Sequence, residues 1–110
     1  MSKTLLIQSE TLGTGDQILG KMLMANFLRL LGDSQQKPGE IVFWNTGVRL
    51  ACEGSSVLDH LEKLEKQGVA ILSCTTCLEY LDLLDKLKIG QPTTMLKSIQ
   101  SMMNTEVISL

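Results

Sequence analysis

VAILSCTTCLEYL, residues 69–81, decides how this chain folds. Val69, Ala70, Ile71 and Leu72 are apolar in succession, and Ser73 ends the run. So short an apolar run reads as a strand buried on both faces. Cys74, Thr75, Thr76 and Cys77 come next, and from Leu78 the spacing turns helical. Thr76 and Glu79 stand at capping-box spacing, so Thr76 is the expected N-cap and Cys77 the first helical residue. Leu78, Leu81 and Leu84 form the expected stripe, with Tyr80 and Leu87 beside it.

The same strand-then-helix alternation extends in both directions. Upstream, TLLIQS (4–9) reads as a strand, and GTGD (13–16) opens a long helix that Asp16 caps and Gly32 ends. Ile18, Leu19, Met22, Leu23, Phe27, Leu30 and Leu31 are its expected core stripe, with Met24 and Leu28 on other sides. A helix apolar nearly all round needs cover on more than one face, and a second copy of so short a chain is the expected cover. EIVFWN (40–45) reads as the second strand. SSVLDHLEKLEKQG (55–68) reads as an amphipathic helix capped by Ser56, with Asp59 at the capping-box position. Downstream, KIGQPTT (88–94) is a short strand or turn. TMLKSIQSMM (94–103) is a helix with Met95, Ile99, Met102 and Met103 inward, and EVISL (106–110) is a last strand. This order implies βαβ crossovers: one α/β domain over 1–110, an open, mostly parallel sheet of about five strands, and helices on both faces. In such sheets reactive groups collect beyond the carboxyl ends of the strands. The loops there hold Gly13 and Gly15, then Asn45 and Gly47, then Cys74, Thr75, Thr76 and Cys77.

Composition narrows the function. The 110 residues carry a net charge of −2, 20% charged and 4% aromatic residues. There is no basic footprint for nucleic acid and little for base stacking. No apolar stretch approaches the roughly 20 residues of a membrane span, and the first residues are too weakly apolar for a signal peptide, so a cytoplasmic location is expected. Thiols stay reduced there, and three cysteines cannot all pair within one chain.

The thiols therefore need another explanation. At a helix start, both sulfurs would lie near unpaired N–H groups that favour a thiolate, and a thiolate in an open loop is a nucleophile. Small buried core residues are the plain alternative. A dithiol redox pair is the second alternative, because C-x-x-C at a helix start is its signature. Zinc lacks a second pair of ligands: Cys52 and His60 have the wrong spacing, and His60 lies among Asp59, Glu62 and Lys63 on a polar face. No metal and no cofactor are expected. GDQILGK (15–21) has the glycines and lysine of a phosphate loop, but Met22 stands where Ser or Thr would hold magnesium.

Three stretches in order, LGTGDQILGKMLMANFL, FWNTGVRLACEGSSVLDHLEKLEKQGVAILSCTTCL and LKIGQPTTM, resemble the DsrE/DsrF-like family. They are most similar to the carboxyl-terminal domain of YedF-type proteins, which are associated with sulfur transfer and selenium metabolism. The resemblance spans about residues 4–103. It implies a homo-oligomeric α/β domain that carries sulfur as a cysteine persulfide, and it places the reactive cysteine at Cys74 first and Cys77 second. Gly13, Gly15, Asn45, Gly47, Thr75 and Thr76 would shape the ligand pocket. A TusA-like protein would be the sulfur donor or acceptor, because the TusA-like domain that usually precedes this one is missing from the sequence. Thr75 replaces the family's usual glycine, Thr94 its usual Asn, and Cys52 a usual aliphatic residue. The leading expectation is a sulfur or selenium carrier. A non-catalytic oligomeric binding module and a dithiol oxidoreductase are the alternatives.

Overall fold

The computed structural model describes residues 2–110. Five strands, β1 (Lys3–Ile7), β2 (Glu40–Phe43), β3 (Ala70–Cys74), β4 (Gln91–Thr93) and β5 (Glu106–Ser109), form one sheet in the order β4-β3-β2-β1-β5, every pairing parallel. Four helices join them: α1 (Gln17–Asp33), α2 (Leu58–Lys66), α3 (Thr75–Tyr80) and α4 (Met95–Asn104). From β1 to β4 the chain steps in one direction, and it then returns across the sheet to place β5 beside β1. Right-handed crossovers put the helices of an advancing path on one face and the helix of the return on the other. Accordingly α1 and α2 cover the face of Leu5, Ile7, Ile41, Phe43 and Ile71, and α4 lies over Val42 and Leu72.

The main core joins those strand residues to Met24 and Leu28 of α1 and Leu61 and Leu64 of α2. Asp16 caps α1 as expected, its carboxylate accepting the Leu19 N–H at 2.8 Å. The inward stripe of α1 is not the expected one. Gly20, Met24, Leu28 and Gly32 are its buried residues, whereas Ile18 is 77% exposed and Met22 60%. Met24 and Leu28 enter the core, and the richer apolar stripe stays outside. Gly20 lies against Thr11, and Gly32 lies against the aliphatic stem of Lys63.

Three other expectations are corrected. Ser56 does not cap α2: the helix begins after Val57, and Ser55 Oγ accepts the Val57 N–H at 3.2 Å. α3 stops at Tyr80, because Asp82 takes a left-handed φ of 59° and a separate 3-10 turn follows at Leu84–Lys86, leaving Leu84 exposed. α4 is rotated so that Ser98 is buried while Met95, Ile99 and Met103 are exposed. Its amino end is capped locally, and its carboxyl end is tied to β1. Thr94 Oγ1 accepts the Lys97 N–H at 3.2 Å, and Thr105 Oγ1 bonds both the Ser101 carbonyl, at 2.9 Å, and the buried Thr4 hydroxyl, at 2.8 Å. No helix among the described residues is long and apolar enough to cross a membrane.

Candidate functional site

β3 runs one residue further than its apolar run implies, so Cys74 is the last strand residue and not part of a loop. It pairs with Thr93 of β4 and is 3% exposed. This corrects the expectation of a solvent-open Cys74. The helix start shifts with it. Cys74, not Thr76, is the N-cap of α3, and its Sγ accepts the Cys77 N–H at 3.4 Å. Thr75 is the first helical residue, with ordinary φ, and its hydroxyl donates to the Thr93 carbonyl at 3.0 Å. A β-branched residue therefore fits where the YedF-type pattern that the sequence resembles has glycine, and it ties the helix start to β4. Thr94 caps α4, as Asn also would.

Cys77 is the partly open thiol. It lines a cavity of about 400 Å³ at the carboxyl end of the sheet. Gln8 follows β1 into that cavity, Trp44 and Asn45 follow β2, and Thr76, Tyr80 and Leu81 come from α3. Met95 closes it from α4. None of these side chains is charged. The Trp44 indole N–H is buried and finds no acceptor among the described residues. Asn45 adopts φ 53°, a left-handed conformation that Asn tolerates, and this turns its backbone N–H onto Cys77 Sγ at 3.1 Å. Its own carboxamide Oδ1 accepts the Thr46 N–H at 2.8 Å, which holds the turn.

Burial pushes the Cys77 thiol above its ordinary pKa, and the neighbouring Cys74 raises it further, while the Asn45 N–H acts in the opposite direction. The helix start thus does not make Cys77 a resting thiolate, because loss of water outweighs the donors. Burial also pushes up Cys52, a core thiol whose Sγ donates to the Val48 carbonyl at 3.2 Å. Alkylation of Cys77 by iodoacetamide is expected to be slower at neutral pH than that of a free cysteine, and to rise only above the ordinary thiol range. A half-maximal rate below about pH 8 would contradict this. The stability sign is the same for both thiols. A raised folded-state pKa leaves stability intact below the unfolded value and loses it as pH climbs through the folded one. The urea midpoint is therefore expected to fall on the alkaline side of the ordinary thiol range.

The remaining expected site residues divide. Asn45 and Thr76 share the cavity with Cys77. Gly47 lies behind it, packed so tightly on β1 that an added Cβ would come within 2.5 Å of the Ile7 carbonyl oxygen. Gly13 and Gly15, at φ 80° and 129°, are exposed and do not line the cavity. They turn the chain from β1 into the Asp16 cap. Gln8, Trp44, Tyr80, Leu81 and Met95 were not singled out from the sequence. Gln8 and Trp44 stand directly after apolar runs, the one signal that pointed to them. Among the described residues no group of His, Cys, Asp or Glu is gathered to hold a metal.

No protein-family model matches the chain. No curated protein matches it either. Solved structures do. The ychN protein from E. coli superposes with a TM-score of 0.74 at 16% identity, covering 100% of both chains. MTH1491 from Methanobacterium thermoautotrophicum, described as of unknown function, gives 0.69 at 18%, again covering 100% of both. BT1422 from Bacteroides thetaiotaomicron, a conserved protein of unknown function, gives 0.61 at 16%, over 97% of this chain and 94% of that one. At these identities the likeness is one of fold. The chain has the DsrE/YchN-like fold, a single α/β layer structure with five parallel strands.

Proposed function

We propose that this protein carries a sulfur or selenium atom as an adduct of Cys77, taking it from a donor protein at the carboxyl edge of the sheet. The observation that carries this reading is the setting of Cys77: a half-buried thiol in an uncharged cavity, with a backbone N–H aimed at its sulfur and a second thiol behind it. A persulfide is a stronger acid than the thiol it forms from. The loaded group would therefore ionise where the resting thiol does not, and the Asn45 N–H suits the anion. Loading is thiolate attack on the outer sulfur of a donor persulfide, with the donor thiol leaving. The YedF-like sequence pattern favours a TusA-like donor. The exposed Tyr80 at the cavity mouth, 88% accessible, gives such a partner an aromatic surface to meet.

Self-association belongs to the same proposal. Ile18, Leu19, Met22, Leu23 and Leu30 leave an apolar stripe along the outside of α1, the kind of patch that marks an interface. Sedimentation is expected to show an oligomer at micromolar concentration that Met22→Glu reduces to the single chain. A wild type that stays monomeric at that concentration would remove this part of the proposal.

Intact mass after incubation with a persulfide donor tests the carrier reading. A reducible adduct of one sulfur atom on Cys74→Ser, absent from Cys77→Ser, is the expected result. Absence of any adduct or disulfide from every form would favour a binding module instead.

A further inference from the structure

We infer that Cys74 is a resolving thiol, and that Cys77 loaded with sulfur discharges it as hydrogen sulfide by closing a Cys74–Cys77 disulfide. The inference rests on the carrier reading for the loading of Cys77 and adds a reductive end to it. Access separates the two thiols. Cys74, at 3% exposed, is sealed between β4 and the start of α3, so a donor protein reaches only Cys77. Proximity then joins them. The Cys74 sulfur accepts the Cys77 N–H, and it sits close enough to raise the Cys77 pKa. Residues at the N-cap and three positions into a helix fall within the roughly 4.4–6.8 Å Cα separation that a disulfide spans. The bond therefore needs a rotamer change and not a backbone rearrangement.

The chemistry favours attack on the inner sulfur. In the persulfide of Cys77, Sγ faces the Cys74 side and the outer sulfur points into the cavity. The ionised outer sulfur takes the Cys74 proton, and Cys74 then attacks Sγ. The new Sγ–Sγ bond forms, the persulfide S–S bond breaks, and hydrosulfide leaves and takes up a proton. In sum, the persulfide and the Cys74 thiol give one disulfide and one H2S. The outer sulfur, counted as zero-valent, gains two electrons, one from each cysteine sulfur, so no outside oxidant is needed. Lower-pKa groups leave faster. Hydrogen sulfide is a stronger acid than an alkyl thiol, and Cys77 is a thiol that burial has weakened further as an acid. Expulsion of hydrosulfide from Sγ therefore wins over migration of the outer sulfur to Cys74. An outside dithiol resets the pair.

The test uses the full chain, reduced and freed of reductant, with cysteine persulfide as the donor. Sulfide is followed continuously, the protein by intact mass, and Cys77→Ser sets the background. Wild type is expected to release about one equivalent of sulfide and end two hydrogens lighter, and dithiothreitol should restore its mass. Cys74→Ser should keep the one-sulfur adduct and release sulfide at least about a hundredfold more slowly. A stable adduct on wild type, released no faster than from Cys74→Ser, would overturn the resolving role and leave the carrier reading standing. An adduct on Cys77→Ser but not on Cys74→Ser would reverse the roles and overturn both. Far-ultraviolet circular dichroism and a thermal midpoint for each variant separate loss of chemistry from loss of fold.

Discussion

Gly90→Ala is expected to destabilise the fold by about 3–5 kcal/mol, the sum of two independent penalties. Gly90 holds φ 83°, a left-handed conformation that costs a Cβ-bearing residue, and a Cβ there would collide with the carbonyl of Ile71 and with its side chain. Neither clash can be relieved by turning a side chain, since the obstacle is the backbone of β3 itself. The chain passes this point to pair Gln91 with Leu72 and Thr93 with Cys74. Pushing it away loosens the β3–β4 pairing that seals Cys74 and the Thr93 carbonyl that anchors Thr75. Domains of this size have a total stability of roughly 5–15 kcal/mol, so the loss is a large fraction of it. Urea unfolding compares the midpoints directly. A loss under about 1 kcal/mol would mean that the close approach is not maintained in solution.

Leu28→Ala should cost about 2–5 kcal/mol, and Met22→Ala within about 0.5 kcal/mol, when both are measured in dilute solution where the chains are single. Leu28 is fully buried between α1 and the sheet, and its truncation leaves a cavity among Ile7, Ile41 and Phe43, its partners in the core. Met22 loses only surface contacts. Equal costs for the two would mean that α1 is rotated from the orientation seen. Raising the protein concentration should reveal a cost for Met22→Ala only in assembly, which separates its two surroundings.

That contrast also shows where sequence reading reaches its limit. Counting apolar residues assigned the core of α1 to Ile18, Met22 and Leu30, because periodicity measures how apolar a stripe is and not what faces it. Gly20 carried the opposite signal, since a Cβ there would come within 2.6 Å of the Thr11 side chain. The rotation of α4 was hidden for a similar reason: its carboxyl end is tied to β1 by a bond between Thr105 and Thr4, 101 residues apart, which local periodicity does not show. At the site, one residue of strand decided the outcome. Ser73 looked like the strand end, yet pairing with β4 carries the strand through Cys74, which leaves Cys77 as the thiol that lines the cavity.

The sequence by itself determined the α/β class, the alternation of strands and helices, the Asp16 cap, and the loops at the carboxyl ends of the strands as the place to look. These depend on local periodicity and on short-range hydrogen bonds, which neighbouring residues dictate. The tertiary structure alone decided the strand order, the face each helix turns inward, the burial of Cys74, and the meeting of Gln8, Trp44, Asn45 and Met95 around Cys77. Those outcomes depend on which surfaces pack once all five strands are paired. Exposure of a thiol is a property of that packing, so it cannot be read from the spacing of a C-x-x-C.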